Sequence, residues 1–411
     1  MSQTQKAVTS QDSKENEEKT EMKSRKSRFV AIILASTALA TLGVPFISPA
    51  LPIIRDVFSV TDAQASLLVS AYFAVGIVFS PFIGVLEDRV GRRPILGSSL
   101  IIFGITGGLL LFVPEFWMIL AIRFVQGTAA AGLFITTVTL ISDTFDGAKR
   151  DSVLGLNNAV LSIGAAIFPV LGGFLVTITW NTPFVVYLVA IPLGLVALKF
   201  VEEPVKEVQE TRESTTREKI TAIVGQGTIT AYASAIVVEI LLFGTVLTAL
   251  PFYLSRVFEL GPVAIGAALS IGSISAAITA VTSGKLSENL SSQKIIALSF
   301  FLYGIGLIGF WSATSYIWIL ASGVIFGSGT GLSLPAIDSL ISTHVSDEFR
   351  GKALGVRNGT TFLGRTAGPI LFTAIGLMIE YSALLLTASI LILGAALLLF
   401  ALSGTSLGKN P

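Results

Sequence analysis

Cysteine is absent from this chain of 411 residues, and histidine occurs only once. Without cysteine the chain cannot form disulfides, a thiolate metal site or a cysteine nucleophile. Charged residues are also scarce, at 13% against roughly 25% in typical soluble proteins, whereas hydrophobic residues make up 52%. So few charges cannot cover the surface of a soluble fold. The composition therefore predicts a membrane protein with several spans.

Other classes of protein are excluded on similar grounds. The formal net charge of +1 gives no support to a nucleic-acid partner. No constellation of residues suggests a metal, a nucleophile or a phosphate loop, so we expect neither an enzyme nor a cofactor. The pattern G-x-x-x-x-G-K-S/T is absent, which excludes an ATP-driven pump built from this chain alone.

Twelve apolar segments reach the length of about 20 residues that a helix needs to cross the hydrocarbon core. Their richness in Gly, Ala, Ser and Thr suits closely packed helices and does not suit barrel strands. We therefore predict an all-α fold with twelve transmembrane helices. The predicted spans are 29–51, 66–86, 95–113, 117–141, 154–178, 183–201, 231–255, 263–284, 294–312, 317–341, 354–379 and 382–403.

Lysine and arginine are distributed unevenly between the two sets of loops. The odd-numbered loops contain only Arg55 and Arg256. The even-numbered loops and the two terminal segments contain many basic residues, among them Arg89, Lys149 and Arg350. Retained cytoplasmic loops carry the positive excess. Both termini are therefore predicted to be cytoplasmic, with the protein in the plasma membrane and basic residues close to anionic lipid.

Two polar stretches organise the chain. Residues 1–28 are charged and lack apolar runs, which predicts a disordered cytoplasmic tail. Residues 202–230 are predicted to form a cytoplasmic linker with six spans on each side. We expect one six-helix bundle at 29–201, a second at 231–403 and a short cytoplasmic tail at 404–411.

The two halves repeat each other at an offset of 200 residues. Gly127 aligns with Gly327, and Asn158 aligns with Asn358. Two six-helix halves in parallel repeat enclose a cavity at their interface, which is the plan of an alternating-access transporter. Five polar side chains of the spans are candidates to line this cavity: Gln126, Asn157, Asn158, Arg357 and Arg365.

The loop between the second and third spans reads Gly84-Val85-Leu86-Glu87-Asp88-Arg89-Val90-Gly91-Arg92-Arg93. It resembles the loop signature of the major facilitator superfamily, G-x-L-x-D-R-x-G-R-R, at every specified position. The resemblance implies a gating latch between the halves, made by Gly84, Asp88, Arg89, Gly91, Arg92 and Arg93. Glycine at 84 allows helices to cross closely, glycine at 91 permits a tight turn, and the start of the eleventh span places positive charge near Asp88. The corresponding stretch of the second half, 284–289, is degenerate.

The fourth span contains Arg123-Phe124-Val125-Gln126-Gly127. It is similar to the family's R-x-x-Q-G signature, in which the arginine is associated with proton transfer. An intramembrane arginine must face the bundle interior or water, because exposure to lipid costs at least ~3 kcal/mol. Two roles stay open for Arg123: proton coupling, and hydrogen bonding to carbonyl groups of neighbouring helices.

The fifth span contains Gly164-Ala165-Ala166-Ile167-Phe168-Pro169-Val170-Leu171-Gly172-Gly173. It resembles the family's antiporter signature, G-x-x-x-G-P-x-x-G-G, which is associated with exporters, except that Phe168 replaces the inner glycine. Glycine and proline at these spacings bend a helix and let the facing half approach. The eleventh span repeats part of the pattern as Gly364-Arg365-Thr366-Ala367-Gly368-Pro369. We expect a hinge formed by Gly164, Pro169, Gly172, Gly173 and Pro369.

Few ionisable groups lie within the predicted spans. Proton coupling needs a group that is buried in one state and wetted in another. Glu239 is the acid predicted to lie deepest and is the leading proton carrier, with Arg123 and Asp338 as further candidates. A structural hydrogen bond from Glu239 to a neighbouring helix is the alternative role. Asp338 and Arg357 lie nearer the ends of their spans. For these two residues both a functional role and a structural ion pair stay open.

The resemblance extends from Arg28 to about Ser403 and implies a twelve-span drug:proton antiporter. We expect a secondary transporter, functional as a monomer, that exports small amphiphilic molecules in exchange for protons. Transport of an anionic metabolite is an alternative, because Arg123, Arg357 and Arg365 outnumber the acids. A transport-inactive sensor or scaffold is a third, which the intact loop around Asp88 disfavours.

Overall fold

A computed structural model of the protein describes residues 24–204 and 224–404. The rest of the predicted tails and the middle of the predicted linker lie outside the described residues. Within the described ranges the chain is helical and contains no strand, which confirms the all-α prediction. The described residues are helical from residue 24 onward, inside the segment predicted to be disordered, and the seventh span begins at Gln226, inside the predicted linker.

Fourteen α-helices form the described part of the chain. They are α1 (24–41), α2 (Leu51–Val57), α3 (Asp62–Val90), α4 (Arg92–Leu109), α5 (Phe116–Thr144), α6 (Gly147–Leu175), α7 (Ala190–Phe200), α8 (Gln226–Glu239), α9 (Leu250–Val257), α10 (Pro262–Ser287), α11 (Ser292–Trp311), α12 (Tyr316–His344), α13 (Asp347–Gly376) and α14 (Tyr381–Gly404). Short 3₁₀ segments at Ser48–Ala50, Leu110–Phe112 and Thr182–Val189 and a π-helix at Ile240–Ala249 connect some of them.

Ten runs of helix in the described residues are long and apolar enough to cross a membrane. The first and eleventh predicted spans are the two that do not qualify. The first is interrupted between α1 and α2, and α13 carries charged side chains that include Arg357 and Arg365. The arrangement is consistent with twelve membrane helices, two of which depart from a uniform apolar rod.

The interruption of the first span has a cause in its sequence. One continuous helix is predicted over 29–51, but the helix ends at residue 41 and resumes only at Ser48. Pro45, Pro49 and Pro52 each lack the backbone N–H that a continuing helix needs. The prediction of an unbroken first helix is therefore wrong, and the break exposes carbonyl groups within the bundle.

Details of the backbone follow the 200-residue repeat. Ser59 and Glu259 occupy equivalent turns, and both have positive φ, at 51° and 53°. A Cβ atom on Gly127 would collide with the carbonyl group of Tyr72, and a Cβ atom on Gly327 would collide with that of Gly272. The repeated glycines thus permit the same helix crossing in each half.

The two halves meet at the end of the bundle that is predicted to face outward. A Cβ atom on Gly173 would collide with the carbonyl of Pro262, and one on Gly266 with that of Pro169, so α6 and α10 touch backbone to backbone. The hydroxyl of Ser66 on α3 lies 2.9 Å from that of Thr373 on α13. These contacts close the predicted outer end.

The halves lie apart at the predicted cytoplasmic end. A Cβ atom added at Gly84, Gly155, Gly284 or Gly355 would meet nothing within 4 Å. Phe82 on α3 and other apolar side chains of this end are exposed. The close crossing expected at Gly84 is therefore not made in this conformation, which is open toward the predicted cytoplasmic end.

Candidate functional site

An ion pair between Glu239 and Arg365 occupies the interior of the second half. Nε of Arg365 donates to one carboxylate oxygen at 3.0 Å, and Nη2 donates to the other at 3.1 Å. The side chain of Glu239 is 1% exposed and that of Arg365 is 24% exposed. Glu239 is the last residue of α8 and lies about 20 Å along the helix from its start at Gln226, a longer distance than the sequence predicts because this helix begins earlier than expected.

Glycines of the eleventh span bring the two charged groups together. A Cβ atom on Gly364 would lie 2.7 Å from Cβ of Glu239, and one on Gly368 would lie 2.8 Å from the carbonyl oxygen of Ile240. The partial repeat of the antiporter signature thus lets α13 pack tightly against α8. The π-helix that begins at Ile240 adds an irregularity of a kind often found at functional sites.

Aromatic rings from both halves surround the guanidinium of Arg365. Its Cζ lies 5.4 Å from the ring centroid of Phe73 and 5.0 Å from that of Phe243. The rings of Phe73, on α3, and Phe243, in the second half, are 4.9 Å apart, and Phe362 lies 6.4 Å from Phe73. We call Phe73, Phe243 and Phe362 the aromatic layer.

The aromatic layer lies where the halves begin to separate. A Cβ atom on Gly76, one turn beyond Phe73, would still meet the ring of Phe362, whereas one on Gly84 would meet nothing. Arg365 is partly exposed, and Glu239 lies enclosed behind it. Phe73 and Phe243 are buried. A ligand that approaches this layer therefore first meets the partly buried ring of Phe362 and the partly exposed guanidinium of Arg365, with the carboxylate of Glu239 behind them.

Arg123 lies in the first half, fully buried. It donates to the carbonyl of Gly43 at 2.5 Å, to that of Leu68 at 3.3 Å and to the side chain of Gln126 at 2.8 Å, and its Cζ lies 4.4 Å from the ring centroid of Tyr72. Gly43 belongs to the break in the first span. Of the two roles that the sequence left open for Arg123, these contacts match hydrogen bonding to carbonyl groups of neighbouring helices.

The polar side chains expected to line the cavity differ in position. Gln126 and Asn157 are buried within the first half, where Asn157 accepts a hydrogen bond of 2.6 Å from Thr37. Asn158 is exposed on α6, and its repeat partner Asn358 is exposed on α13. Gln126 and Asn157 therefore hold helices together, whereas the exposed Asn158 stays a candidate to meet a ligand.

Asp338 and Arg357 form a second ion pair in the second half, nearer the predicted cytoplasmic end. Nη2 of Arg357 donates to Oδ2 of Asp338 at 2.6 Å. Arg357 also donates to the side chain of Asn358 at 3.0 Å. The structure thus pairs the two groups for which the sequence left an ion pair open, and Asp338 is more exposed than Glu239.

The predicted latch is held within the first half in this conformation. Arg92 contacts Asp88 at 3.1 Å and Asp143 at 2.8 Å. Asp88 is exposed, as is Arg89. The approach of the eleventh span to Asp88 stays a prediction for the conformation in which the cytoplasmic ends meet.

The turn at Gly91 is held by the beginning of the linker. Gly91 has φ of 102°, a conformation that favours glycine, and a Cβ atom there would lie 2.9 Å from the carboxylate of Glu203. That carboxylate accepts hydrogen bonds from the backbone N–H groups of Arg92, at 2.5 Å, and Arg93, at 2.9 Å. Arg93 also donates to the carbonyl of Leu198. Glu203 is a positioning residue that the sequence did not single out.

The hinge candidates take two kinds of position. Pro169 and Pro369 lie inside α6 and α13. Gly172 packs against the carbonyl of Phe46, at the break of the first span, and Gly173 packs against the second half. Gly164 faces Thr41 and the ring of Phe168, which fills the place of the signature's missing glycine.

Sequence reasoning missed a buried carboxylate at the predicted outer end. Asp62, at the start of α3, receives contacts from Arg55, Arg256 and the hydroxyl of Tyr381. Arg55 and Arg256 are the two basic residues assigned to the outer loops. Their isolation there was the available signal that an acidic partner lies between them.

The chain matches known proteins over most of its length. A sequence profile described as Major Facilitator Superfamily matches residues 33–261 and 232–410. The bacillibactin exporter of Bacillus subtilis (strain 168) is 29% identical over 389 residues, which cover 90% of this chain and 95% of that protein. The tetracycline resistance protein, class H, of Pasteurella multocida is 25% identical over 360 residues, which cover 85% of this chain and 89% of that protein.

Solved structures share the fold. A bacterial homologue of the human lysosomal transporter Spinster, in an inward-facing and occupied conformation, aligns with a TM-score of 0.74 at 17% identity. The alignment covers 92% of this chain and 97% of that one. At this identity the likeness shows the architecture alone.

Proposed function

Because the chain belongs to the major facilitator superfamily, we propose that it exports small amphiphilic molecules in exchange for protons by alternating access. The observation that carries the proposal is the ion pair of Glu239 and Arg365 behind the aromatic layer. A buried carboxylate that is reached through a partly exposed guanidinium can link the arrival of a proton to a change at the ligand site.

The contacts of the pair suggest how coupling works. In the described conformation the carboxylate of Glu239 accepts two hydrogen bonds from Arg365 and so holds its guanidinium beside the rings of Phe73 and Phe243. A proton bound to Glu239 would remove its negative charge, so Arg365 would lose its counterion and its fixed position. Phe73 belongs to the first half and Phe243 to the second, so a movement of Arg365 would alter a contact between the halves.

The charge balance of the pair favours a neutral or cationic substrate. An anion bound to Arg365 would displace Glu239, and a proton on Glu239 would then restore the balance. The anion and the proton would bind together and travel in the same direction, which is opposite to exchange. A neutral or cationic amphiphile can instead rest on the aromatic layer while Glu239 is charged and leave when the proton arrives. This argument disfavours the anionic-metabolite alternative.

The relatives support export as the direction of transport. One carries the name of a bacillibactin exporter and another that of a tetracycline resistance protein. The scaffold alternative is disfavoured because an ion pair within the membrane spans, with one member buried and the other partly exposed, is a feature that a scaffold does not need. The aromatic layer supports a substrate with an apolar face, which stacks on such rings.

We further propose that both termini are cytoplasmic and that the protein functions as a monomer among membrane lipids, with no nucleic-acid partner. The distribution of arginine and lysine supports the orientation. Cysteines introduced at Ser59 and Asn181 should react with an impermeant thiol reagent added outside intact cells, whereas one at Ser291 should not. Labelling at Ser291 from outside would contradict the orientation.

Transport in proteoliposomes tests the function. The purified protein is reconstituted, a pH gradient is imposed, and accumulation of candidate cationic, neutral and anionic amphiphiles is compared. We expect gradient-dependent movement of a cationic or neutral compound, coupled to proton flow in the opposite direction. Movement of anions together with protons would contradict the proposal.

A further inference from the structure

Asp62 lies at the junction of the two halves at the predicted outer end. Its side chain is 1% exposed. Arg55, from the same half, contacts it at 3.1 Å. Arg256 and the hydroxyl of Tyr381, from the other half, lie at 2.9 Å and 2.7 Å. These four residues, which we call the Asp62 cluster, join α2 and α3 to α9 and α14.

We propose that the Asp62 cluster is the outer gate of the transporter and that Asp62 is the residue that keeps it closed. A buried carboxylate is stable only when it is paired and hydrogen-bonded. Arg256 and Tyr381 can fulfil this need only while the halves are together. Their contacts therefore stabilise the conformation that is closed outside and open to the cytoplasmic side.

The division of partners between the halves makes the gate reversible. When the halves separate, Arg256 and Tyr381 move away with the second half, but Arg55 stays beside Asp62. The carboxylate then keeps one counterion and gains access to water. Arg55 stays beside Asp62 in both states, whereas Arg256 contacts it only when the halves are together, so loss of Arg256 should shift the gate more than loss of Arg55.

The surroundings of the second-half partners allow such a movement. Arg256 and Tyr381 both line a cavity of about 480 Å³, together with Tyr253 and Glu380. The side chain of Arg256 is half exposed, in contrast to Asp62. Arg256 can therefore leave Asp62 without breaking a closely packed core, whereas Tyr381 is buried in the second half and would move with it.

A cysteine reporter measures the gate without any substrate. Ser66 is buried on α3, and its hydroxyl faces Thr373 of the other half, so a Ser66→Cys thiol is reached from outside only when the outer end opens. The native chain contains no cysteine. The measurement is the rate at which an impermeant thiol reagent, added outside, labels Ser66→Cys in intact cells, with Ser59→Cys as the control for access.

The expected changes in rate distinguish the roles of the cluster. Asp62→Asn and Arg256→Gln should each raise labelling about tenfold, which corresponds to ~1.4 kcal/mol in the opening equilibrium. Arg55→Gln should change labelling less than Arg256→Gln does, because Arg55 stays with Asp62 in both states. Asp56→Asn is the matched control, since Asp56 pairs with Arg55 at 2.8 Å but is 65% exposed; it removes a neighbouring charge and should leave labelling unchanged.

Monodispersity of each variant in detergent checks that it is folded. Tyr381→Phe is a milder variant, because it loses only one hydrogen bond, and it should raise the labelling rate by a smaller factor. Unchanged labelling in folded Arg256→Gln and Tyr381→Phe would overturn the proposal, as would an equal rise in Asp56→Asn. Because labelling reports opening of the outer end and not transport, and no substrate is added, its outcome is separate from whether the proposed export is correct.

Discussion

The ion pair of Glu239 and Arg365 should respond unequally to the loss of its two members. Arg365→Gln leaves a carboxylate that is 1% exposed without its counterion, and breaking a buried pair in this way costs about 3–5 kcal/mol. Glu239→Gln leaves a guanidinium that is 24% exposed and still lies over two aromatic rings. Cation–π contacts of desolvated groups contribute about 0.5–2 kcal/mol, so we expect a smaller loss, about 1–3 kcal/mol.

Unfolding of the purified variants in detergent measures these losses. The double variant Glu239→Gln/Arg365→Gln contains neither charge, so it should be more stable than Arg365→Gln alone. The two substitutions are then non-additive, as expected for groups in direct contact. If the double variant lost the sum of the two single losses, the pair would not contribute to stability and the reasoning would be refuted.

Two further predictions concern close approaches and the latch. Gly364→Ala should destabilise the protein by about 1–3 kcal/mol by forcing α13 away from α8. Gly355→Ala on the same helix meets open space and should be neutral or stabilising. Equal losses of stability in thermal unfolding of the two variants would contradict this prediction. Asp88→Asn should slow transport without unfolding the protein, because it loses a carboxylate that favours a helix N-terminus by up to ~2 kcal/mol; a wild-type transport rate at normal expression would remove the latch from the account.

The helical architecture was largely accessible from the sequence. Apolar length and the 200-residue repeat depend on local composition, and the structure shows the repeat even in the positive φ of Ser59 and Glu259. The break in the first span was also encoded locally, by Pro45, Pro49 and Pro52. Hydropathy alone overlooked it, because proline interrupts hydrogen bonding without making a segment polar.

The site was accessible only in part. Burial of Glu239 follows from its place within a span, but the bidentate contact with Arg365 depends on how α13 rotates against α8, and no linear pattern fixes that rotation. The aromatic layer is a similar case, because Phe73 and Phe243 come from different halves. With 27 phenylalanines in the chain, composition could not single them out.

The role of Asp62 could not be predicted from the sequence for a different reason. An acid at the first position of a helix has an ordinary local explanation, since it interacts favourably with the helix dipole. Its partners Arg256 and Tyr381 lie about two hundred and three hundred residues away in sequence. Only the assembled bundle shows that one residue satisfies both a local and a long-range requirement.

The measurement that tests the central claim most directly is transport by Glu239→Gln in proteoliposomes, with and without an imposed pH gradient. If Glu239 carries the proton, this variant should exchange labelled substrate across the membrane at equal pH but fail to accumulate it against a concentration gradient. Asp338→Asn is the matched control, because Asp338 pairs with Arg357 as Glu239 pairs with Arg365, and it should still accumulate substrate. Accumulation by Glu239→Gln with the pH dependence of the wild type would contradict the account.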